Sequence, residues 1–457
     1  MKFIYQIGRY DRNYLSEISF VVDNNIFKAP LSSICLKSSY SNTKLTIVYP
    51  VSIVYNKIAT ELGDEFSKSI VQNIKNYLSN PNEIIKTHPH NQYADDFIVI
   101  HSLGNYKFDN VGINFEVSYD DIVLEILCDM IEKYIEVKDQ NNEFYVDISS
   151  GLNIYIYALI EALKHFSVFS HLLNWQYKNL RPRTYIVFSD PILGSSAEKF
   201  QIYVQQVDFK TFFSAPVKNE DVNMNNGNRL SKRIFCKVED KEKRKNLDEL
   251  LINFVIVFSA IKNNTPLVLY HFRYNKYDDI ITFLKNFIRE LKKELISQGW
   301  HKSPNISKND YLKIILSLGL YAGIVQTLEK NLVKNYDLEE GVNLNVIKEK
   351  FGNRETSIYS IFDLGFLVHH LGQEIYNLSE GKDENGIKEK ATNNWEKLNK
   401  SLPGNIQDFV ERNFFAHTGF ERNVTEVRLS KEKNEIYLRY APEKENKIRN
   451  TMIKYFS

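Results

Sequence analysis

The sequence predicts a two-part chain. A doubly wound α/β half, with a mostly parallel sheet and helices on both faces, is followed by an all-α half that ends in a β-hairpin. Three observations carry this reading. Up to about residue 212, short apolar runs bounded by Gly, Pro and Asn alternate with stretches of helical period, the pattern of a parallel sheet with crossover helices. From Leu247 onward apolar residues recur at helical spacing. After His417 the period changes to two, the mark of paired strands. The expected boundaries are 1–212 for the α/β domain, 213–245 for a connector and 246–457 for the helical region.

Residues 3–7 read as a buried strand that breaks at once into Gly8-Arg9-Tyr10-Asp11-Arg12-Asn13. Open α/β sheets bind ligands beyond the carboxyl ends of their strands, so this is a ligand-loop pattern. A tight turn would read the same way. Residues 16–23 look like an exposed strand, with Asp23-Asn24-Asn25 as its turn. Residues 45–49 form a second buried strand, running into Pro50-Val51-Ser52. From 55 to 78 the spacing of Ile58, Leu62, Phe66, Ile70, Ile74 and Tyr77 predicts one helix. Strands at 97–101, 144–148, 185–189 and 201–207 and helices at 122–134 and 154–166 complete this half.

Between strand 144–148 and helix 154–166 lies Asp147-Ile148-Ser149-Ser150-Gly151-Leu152-Asn153. Ser149 or Ser150 can cap the helix, and Gly151 lets backbone approach a ligand closely. The helix N-terminus offers free N–H groups to a phosphate. Asp147 and Asn153 can bond ribose hydroxyls or base edges. An ordinary cap and turn account for the same residues. This loop lies beside Gly8–Asn13 only if the two strands are neighbours.

In the second half, five Asn between 219 and 228 and a charged run to Lys245 mark the connector, with a small strand at 233–238. Helices are predicted at 250–261, 280–295, 311–332 and 358–378, and a polar loop at 382–394. Ile406, Phe409, Val410 and Phe414 form one helical stripe. Residues 424–429 and 435–440 bracket a hairpin turn at 431–434.

Arg412-Asn413-Phe414-Phe415-Ala416-His417 closes the last helical stretch. On a continuous helix Arg412 and His417 point about 140° apart. They converge on one phosphate only if the helix ends near His417, where Thr418-Gly419 supplies a stop, or if a second copy faces it. A guanidinium grips phosphate with a planar fork, and an imidazole moves protons near neutral pH. That pairing suits RNA cleavage, in which the 2′-hydroxyl is the nucleophile and no metal is required. From the spacing alone, a solvated Arg and a helix-end His are the commoner reading. Arg412 to Ser457 holds ten Lys/Arg against six Asp/Glu, a local basic excess.

Composition bounds the rest. The chain has 457 residues, 43% of them hydrophobic, and a net charge of +1. No global basic field therefore advertises nucleic acid. Cys35, Cys128 and Cys236 make no CxxC pair, which speaks against zinc and disulfides and fits a reducing cytoplasm. The N-terminus is too short and too soon charged for a signal peptide, and no run of 18 apolar residues suggests a membrane span. His88-Pro89-His90 lacks a third metal ligand nearby, and His369-His370 reads as a packing pair in an apolar helix. Trp175, Trp300 and Trp395 read as core or interface residues.

Taken together, the chain resembles the CRISPR-associated CARF–HEPN ribonucleases of type III systems. Four features carry the resemblance: the strand opening into Gly8-Arg9-Tyr10-Asp11, the strand ending Tyr49-Pro50-Val51-Ser52, the loop Asp147–Asn153, and Arg412-x4-His417. It implies a Rossmann-like CARF domain at 1–212 and a HEPN domain with its core at about 306–457. The CARF half is then expected to bind a cyclic oligoadenylate, most often cyclic tetra-adenylate, as allosteric activator. Its site would comprise Gly8, Arg9, Tyr10, Asp11, Asn13, Pro50, Ser52, Asp147, Ser149, Ser150, Gly151 and Asn153. At Ser150 relatives often carry a bulkier polar residue such as His. Arg412 and His417 of two subunits, with Asn413, would cut single-stranded RNA without metal or other cofactor. The resemblance further implies a homodimer or higher homo-oligomer in the cytoplasm, with no membrane and no stable protein partner. The alternative is a CARF sensor or ring nuclease whose helical half only binds or regulates. A DNA-binding regulator would need a helix-turn-helix, and 232–300 lacks its Gly-containing turn.

Overall fold

The computed structural model describes residues 1–108, 111–137, 141–192, 195–332, 339–402, 408–430 and 434–457. Contacts divide the chain into two units. The first takes in Met1–His171, Tyr177–Thr211 and Lys285–Asn309, and the second Leu172–Gln176, Phe212–Leu284 and Asp310–Ser457. The expected boundaries follow chain order, whereas residues 285–309 join the first unit. They are held there by long-range backbone pairing of Glu116 with His301 and Ser303, and by the Ser303 hydroxyl on Asp121 at 2.7 Å. No local pattern reveals such contacts.

In chain order the first unit runs β1 (Lys2–Ile7), β2 (Ile18–Val22), β3 (Asn25–Ala29), α1 (Ser32–Ser39), β4 (Thr43–Pro50), α2 (Ile58–Leu62), α3 (Glu65–Asn73) and α4 (Pro81–Ile85). It continues with β5 (Asp96–Ile100), β6 (Gly104–Phe108), β7 (Val111–Phe115), α5 (Tyr119–Glu136), β8 (Glu143–Asp147), α6 (Asn153–Leu173), β9 (Arg183–Ser189) and β10 (Phe200–Val207). Eight strands form one sheet in the order β3-β2-β10-β9-β8-β1-β4-β5. The run from β9 to β5 is parallel, while β10 lies antiparallel on β9 and β3 on β2. Every residue of β8 and all but the first of β1 are buried, because central parallel strands are covered on both faces. That explains their mostly apolar sequence, with Gln6, Glu143 and Asp147 as buried polar exceptions.

Several elements differ from the sequence reading. The predicted helix 55–78 is broken into α2 and α3 at Gly63, which sits at φ +65°. The left-handed residue ends the first segment, and Asp64 caps the second through the Ser67 N–H. Strand β3, helix α1 and the β6–β7 hairpin were not foreseen. A sequence signal for that hairpin exists, since Tyr106, Phe108, Ile113 and Phe115 alternate about Asp109-Asn110.

The second unit contains α7 (Asn219–Val222), α8 (Leu230–Ile234), α9 (Lys241–Lys262), α10 (Pro266–His271), α11 (Tyr277–Leu295), α12 (Lys308–Asn331), β11 (Val342–Asn343), α13 (Leu344–Phe351) and α14 (Ile358–Ile361). These are followed by α15 (Leu367–Ser379), α16 (Lys382–Lys390), β12 (Glu396–Lys397), α17 (Leu398–Ser401), α18 (Glu411–Ala416), β13 (Thr425–Ser430), β14 (Glu435–Tyr440) and α19 (Glu445–Lys454). Residues 285–295 of α11 and the first two residues of α12 belong to the first unit. The small strand expected at 233–238 is instead the end of α8 and a following turn. There Arg233 forks onto Asp310 and also bonds Asp221, so ion pairing overrides its strand-like alternation.

Residues 358–378 are two helices rather than one, separated where Asp363 takes φ +59°. The buried stripe of α15 is Val368, Leu371, Ile375 and Leu378, which leaves His369 and His370 exposed rather than packed. Residues 382–390 form a helix where a polar loop was expected. Helix α12 is long and apolar enough to cross a membrane by length and composition. However, 83% of its apolar window is buried inside the fold, which marks a core helix. The predicted hairpin forms, and β13 and β14 pair antiparallel from Thr425↔Tyr440 to Ser430↔Glu435. Its turn at 431–433, and residues 405–407 of the predicted Ile406 helix, lie outside the described residues.

Candidate functional sites

Strand β1 lies between β4 and β8, with Ile7 opposite Val48 and Gln6 opposite Asp147. The neighbour condition on the loops is met. The Gly8–Asn13 loop, the Pro50–Ser52 turn and the Ser149–Gly151 loop share one edge of the sheet. They border a cleft of about 1160 Å³ lined by Gly8, Arg9, Tyr10, Asp11, Asn13, Pro50, Ser52, Ser149, Ser150 and Gly151. Tyr106, Tyr155, Phe188 and Asp190 also line it and went unnoticed in the sequence.

Beneath the cleft a buried polar chain ties the loops together. Ser149 N–H donates to Asp147 Oδ1 at 2.9 Å, and the Ser32 hydroxyl donates to Asp147 Oδ2 at 2.7 Å. Gln6 Nε2 donates to Ser32 Oγ and Ser150 Oγ, and Ser150 Oγ donates to the Ile7 carbonyl. Asp147 is fully buried and does not line the cleft. Burial pushes its carboxyl above the ordinary value, against the hydrogen bonds from Ser149 and Ser32. Its expected ligand contact is therefore replaced by a holding role. Asn153, the first residue of α6, is exposed and is not among the cleft-lining residues. Ser150 does not cap α6, because its hydroxyl reaches back to β1.

Two glycines are set by steric room. A Cβ on Gly151, which sits at φ +118°, would lie 2.7 Å from Ile7 Cβ. One on Gly8 would lie 2.2 Å from the Tyr49 ring. Arg9 forks onto Asp11 at 2.9 and 3.1 Å, and Asp11 also accepts from Asn13 N–H. Tyr10 is buried with its hydroxyl on Ser67 at 2.9 Å, anchoring the loop.

His88 and His90 buttress the same loop from below. His88 Nε2–H donates to the Arg9 carbonyl at 3.0 Å, and His90 Nε2–H donates to the Tyr14 carbonyl at 2.6 Å. Burial lowers both imidazoles, His90 to about 4, so they are neutral hydrogen-bonding groups near pH 7. Among the described residues no three His, Cys, Asp or Glu side chains are grouped to hold a metal.

The second site is built on α18. Val410 is extended, so the helix starts at Glu411 and ends with His417 as its cap. Thr418 and Gly419 then take φ +49° and +85°, and Gly419 N–H closes on the Phe414 carbonyl at 2.8 Å. This is the left-handed stop predicted for Thr418-Gly419. Phe414 is fully buried and packs on Phe409 and Tyr440. Arg412 and Asn413 are exposed. Arg412 makes no ion pair among the described residues.

His417 Nδ1 lies 3.2 Å from Oε2 of Glu374 on α15, with 43% of the His417 side chain exposed. The Glu374 hydrogen bond raises the His417 pKa above its ordinary value, against partial burial. Glu374 is 43 residues away in sequence, and no local pattern pointed to it. Five of the ten cations in the expected basic patch are ion-paired among the described residues. Arg422 pairs with Asp383, Arg439 with Glu426, Lys444 and Lys447 with Asp408, and Lys454 with Glu411.

Two family models match the chain. The CARF domain of the CRISPR system endoribonuclease Csx1 matches residues 2–191, and the HEPN domain of the same endoribonuclease matches 364–445. The chain belongs to the CARF–HEPN family of CRISPR-associated endoribonucleases. No curated protein matches it. The CARF match ends just past β9 and takes in all three cleft loops. The HEPN match contains Glu374, Arg412, Asn413 and His417. Residues 192–363 fall in neither match.

Proposed function

We propose that this CARF–HEPN protein is a cyclic oligoadenylate-activated, metal-independent endoribonuclease that cuts single-stranded RNA in type III CRISPR antiviral defence. It acts as a cytoplasmic homodimer. The observation that carries the reading is the state of the Arg412–His417 pair. Arg412 in the first turn of the short helix α18 and His417 at its C-terminal cap both reach solvent, with no ion-pair partner for Arg412 among the described residues and a carboxylate on His417 Nδ1. An exposed guanidinium without a carboxylate is available to a phosphate. His417 Nε2 is left to take the proton of the 2′-hydroxyl as its oxygen attacks phosphorus. The bond to the 5′-oxygen breaks, and that oxygen leaves with a proton. Asn413, exposed beside Arg412, is the further donor to that phosphate in this reading.

On the sensing side, a ring of alternating ribose and phosphate satisfies two identical clefts only across a two-fold axis, so the activator calls for an isologous dimer. The ligand biases the catalytic end only by its differential affinity for two subunit arrangements. Labelled RNA incubated in EDTA, with and without cyclic tetra-adenylate, tests the reading. Cleavage in EDTA that depends on the activator is expected. Absence of cleavage under both conditions overturns it.

A further inference from the structure

We propose that Glu374 is the positioning residue of His417, holding the imidazole so that Nε2 is the nitrogen presented to RNA. The proposal rests on the ribonuclease reading above and adds a member to its site.

The geometry is specific. Glu374 lies one turn before the buried Leu378 on α15, with 18% of its side chain exposed. Its Oε2 stands 3.2 Å from His417 Nδ1, and no other hydrogen-bond partner of the Glu374 side chain is found among the described residues. An ionised carboxylate only accepts, so Nδ1 carries the proton and Nε2 is unprotonated in the neutral ring. A His at the end of a short helix is otherwise free to turn about its side-chain bonds, and the carboxylate removes that freedom.

In the cleavage step the 2′-oxygen forms a bond to phosphorus while its proton passes to Nε2. The imidazolium so formed is stabilised by Glu374, which keeps its own charge. The bond from phosphorus to the 5′-oxygen breaks, and that oxygen takes a proton from an imidazolium. The proton lost by the 2′-hydroxyl is thus balanced by the one gained by the leaving group.

The charged groups facing His417 come from two elements. They are Glu374 on α15, and Glu421 and Arg422 just after α18. Glu421 is 2% exposed and satisfied by the Asn423 N–H and Nδ2. Arg422 is paired with Asp383. Among these, Glu374 alone hydrogen-bonds the ring.

The test is Glu374→Gln in the full chain, with Glu374→Asp beside it. We expect kcat on RNA to fall ~10–100-fold with KM little changed, by analogy with loss of the carboxylate partner of a metal-bound His. The acid limb of the kcat/KM profile should move to lower pH, and Glu374→Asp should recover part of the rate. Titration of the His417 ring by NMR, assigned by its loss in His417→Ala, should show a lower pKa in Glu374→Gln at unchanged thermal midpoint. Wild-type kcat with an unmoved acid limb, or an unmoved His417 titration, overturns the proposal. The NMR arm needs no RNA. If wild-type protein fails to cut RNA while the titration still responds to Glu374→Gln, the ribonuclease reading has failed and the pairing stands.

Discussion

The two sites are built on opposite plans. In the CARF cleft, most residues that marked the loop in the sequence hold the loop itself: Asp147 is buried on Ser32 and Ser149, Ser150 on β1, and Gly8 and Gly151 fit against Tyr49 and Ile7. In the HEPN site the marking residues Arg412 and Asn413 are exposed, and His417 makes one long-range hydrogen bond. A site that must shape a pocket for a whole ligand is made of packed groups. The site proposed to meet a phosphate leaves its guanidinium without an ion pair among the described residues and ties its imidazole by one carboxylate. Substitution should therefore damage stability at the first and chemistry at the second.

The sharpest break of this comparison is His417→Ala, with Arg412→Ala beside it. Loss of a proton-transfer group costs ~10²–10⁴-fold, so RNA cleavage should fall by that range in His417→Ala. Stability in urea should stay within about 0.5 kcal/mol for the exposed Arg412. Full cleavage by His417→Ala would remove the residue from catalysis. Mixing the two variants should restore activity above either parent if the site is composite. A mixture as inactive as its parents means that each chain works alone.

Asp147→Ala is the counterpart in the CARF domain. It leaves the Ser32 hydroxyl and the Ser149 N–H without their acceptor, at a cost of about 1–3 kcal/mol for a buried unsatisfied group. Urea unfolding of the full chain measures it, and a change below the scatter of the method would show that Asp147 does not hold the loop. Gly151→Ala should act similarly. Its Cβ meets Ile7 at 2.7 Å with φ +118°, and a strained non-glycine residue of this kind costs about 1–3 kcal/mol. A raised thermal midpoint in that variant would contradict the steric account.

The smallest effect is a pH dependence. His90 is held near 4 in the fold against an ordinary 6.5, so the unfolded chain binds the extra proton between those values. Stability contributed by the neutral ring is complete above about 6.5 and is lost as pH falls toward 4. His88 is lowered in the same direction. The thermal midpoint should fall from pH 7 to pH 5, and by less in His90→Gln, which keeps a donor but does not titrate. An equal fall in both proteins would assign the loss to other groups.

How far the sequence reaches follows from the range of the forces involved. Central strands β1, β4 and β8 were legible because burial on both faces favours short, mostly apolar runs. The Thr418-Gly419 stop was legible because left-handed backbone selects for Gly. The Arg412–His417 pair was legible through its spacing and the family resemblance. The tertiary structure alone decided that β1 lies between β4 and β8, which turns three separate loops into one cleft. It also decided that Asp147 faces inward, that His88 and His90 support the Gly8 loop, that 285–309 joins the first unit, and that Glu374 reaches His417. Each of these is a contact between residues far apart in the chain. Such contacts are set by sheet order and packing, and local periodicity and turn chemistry carry no record of them.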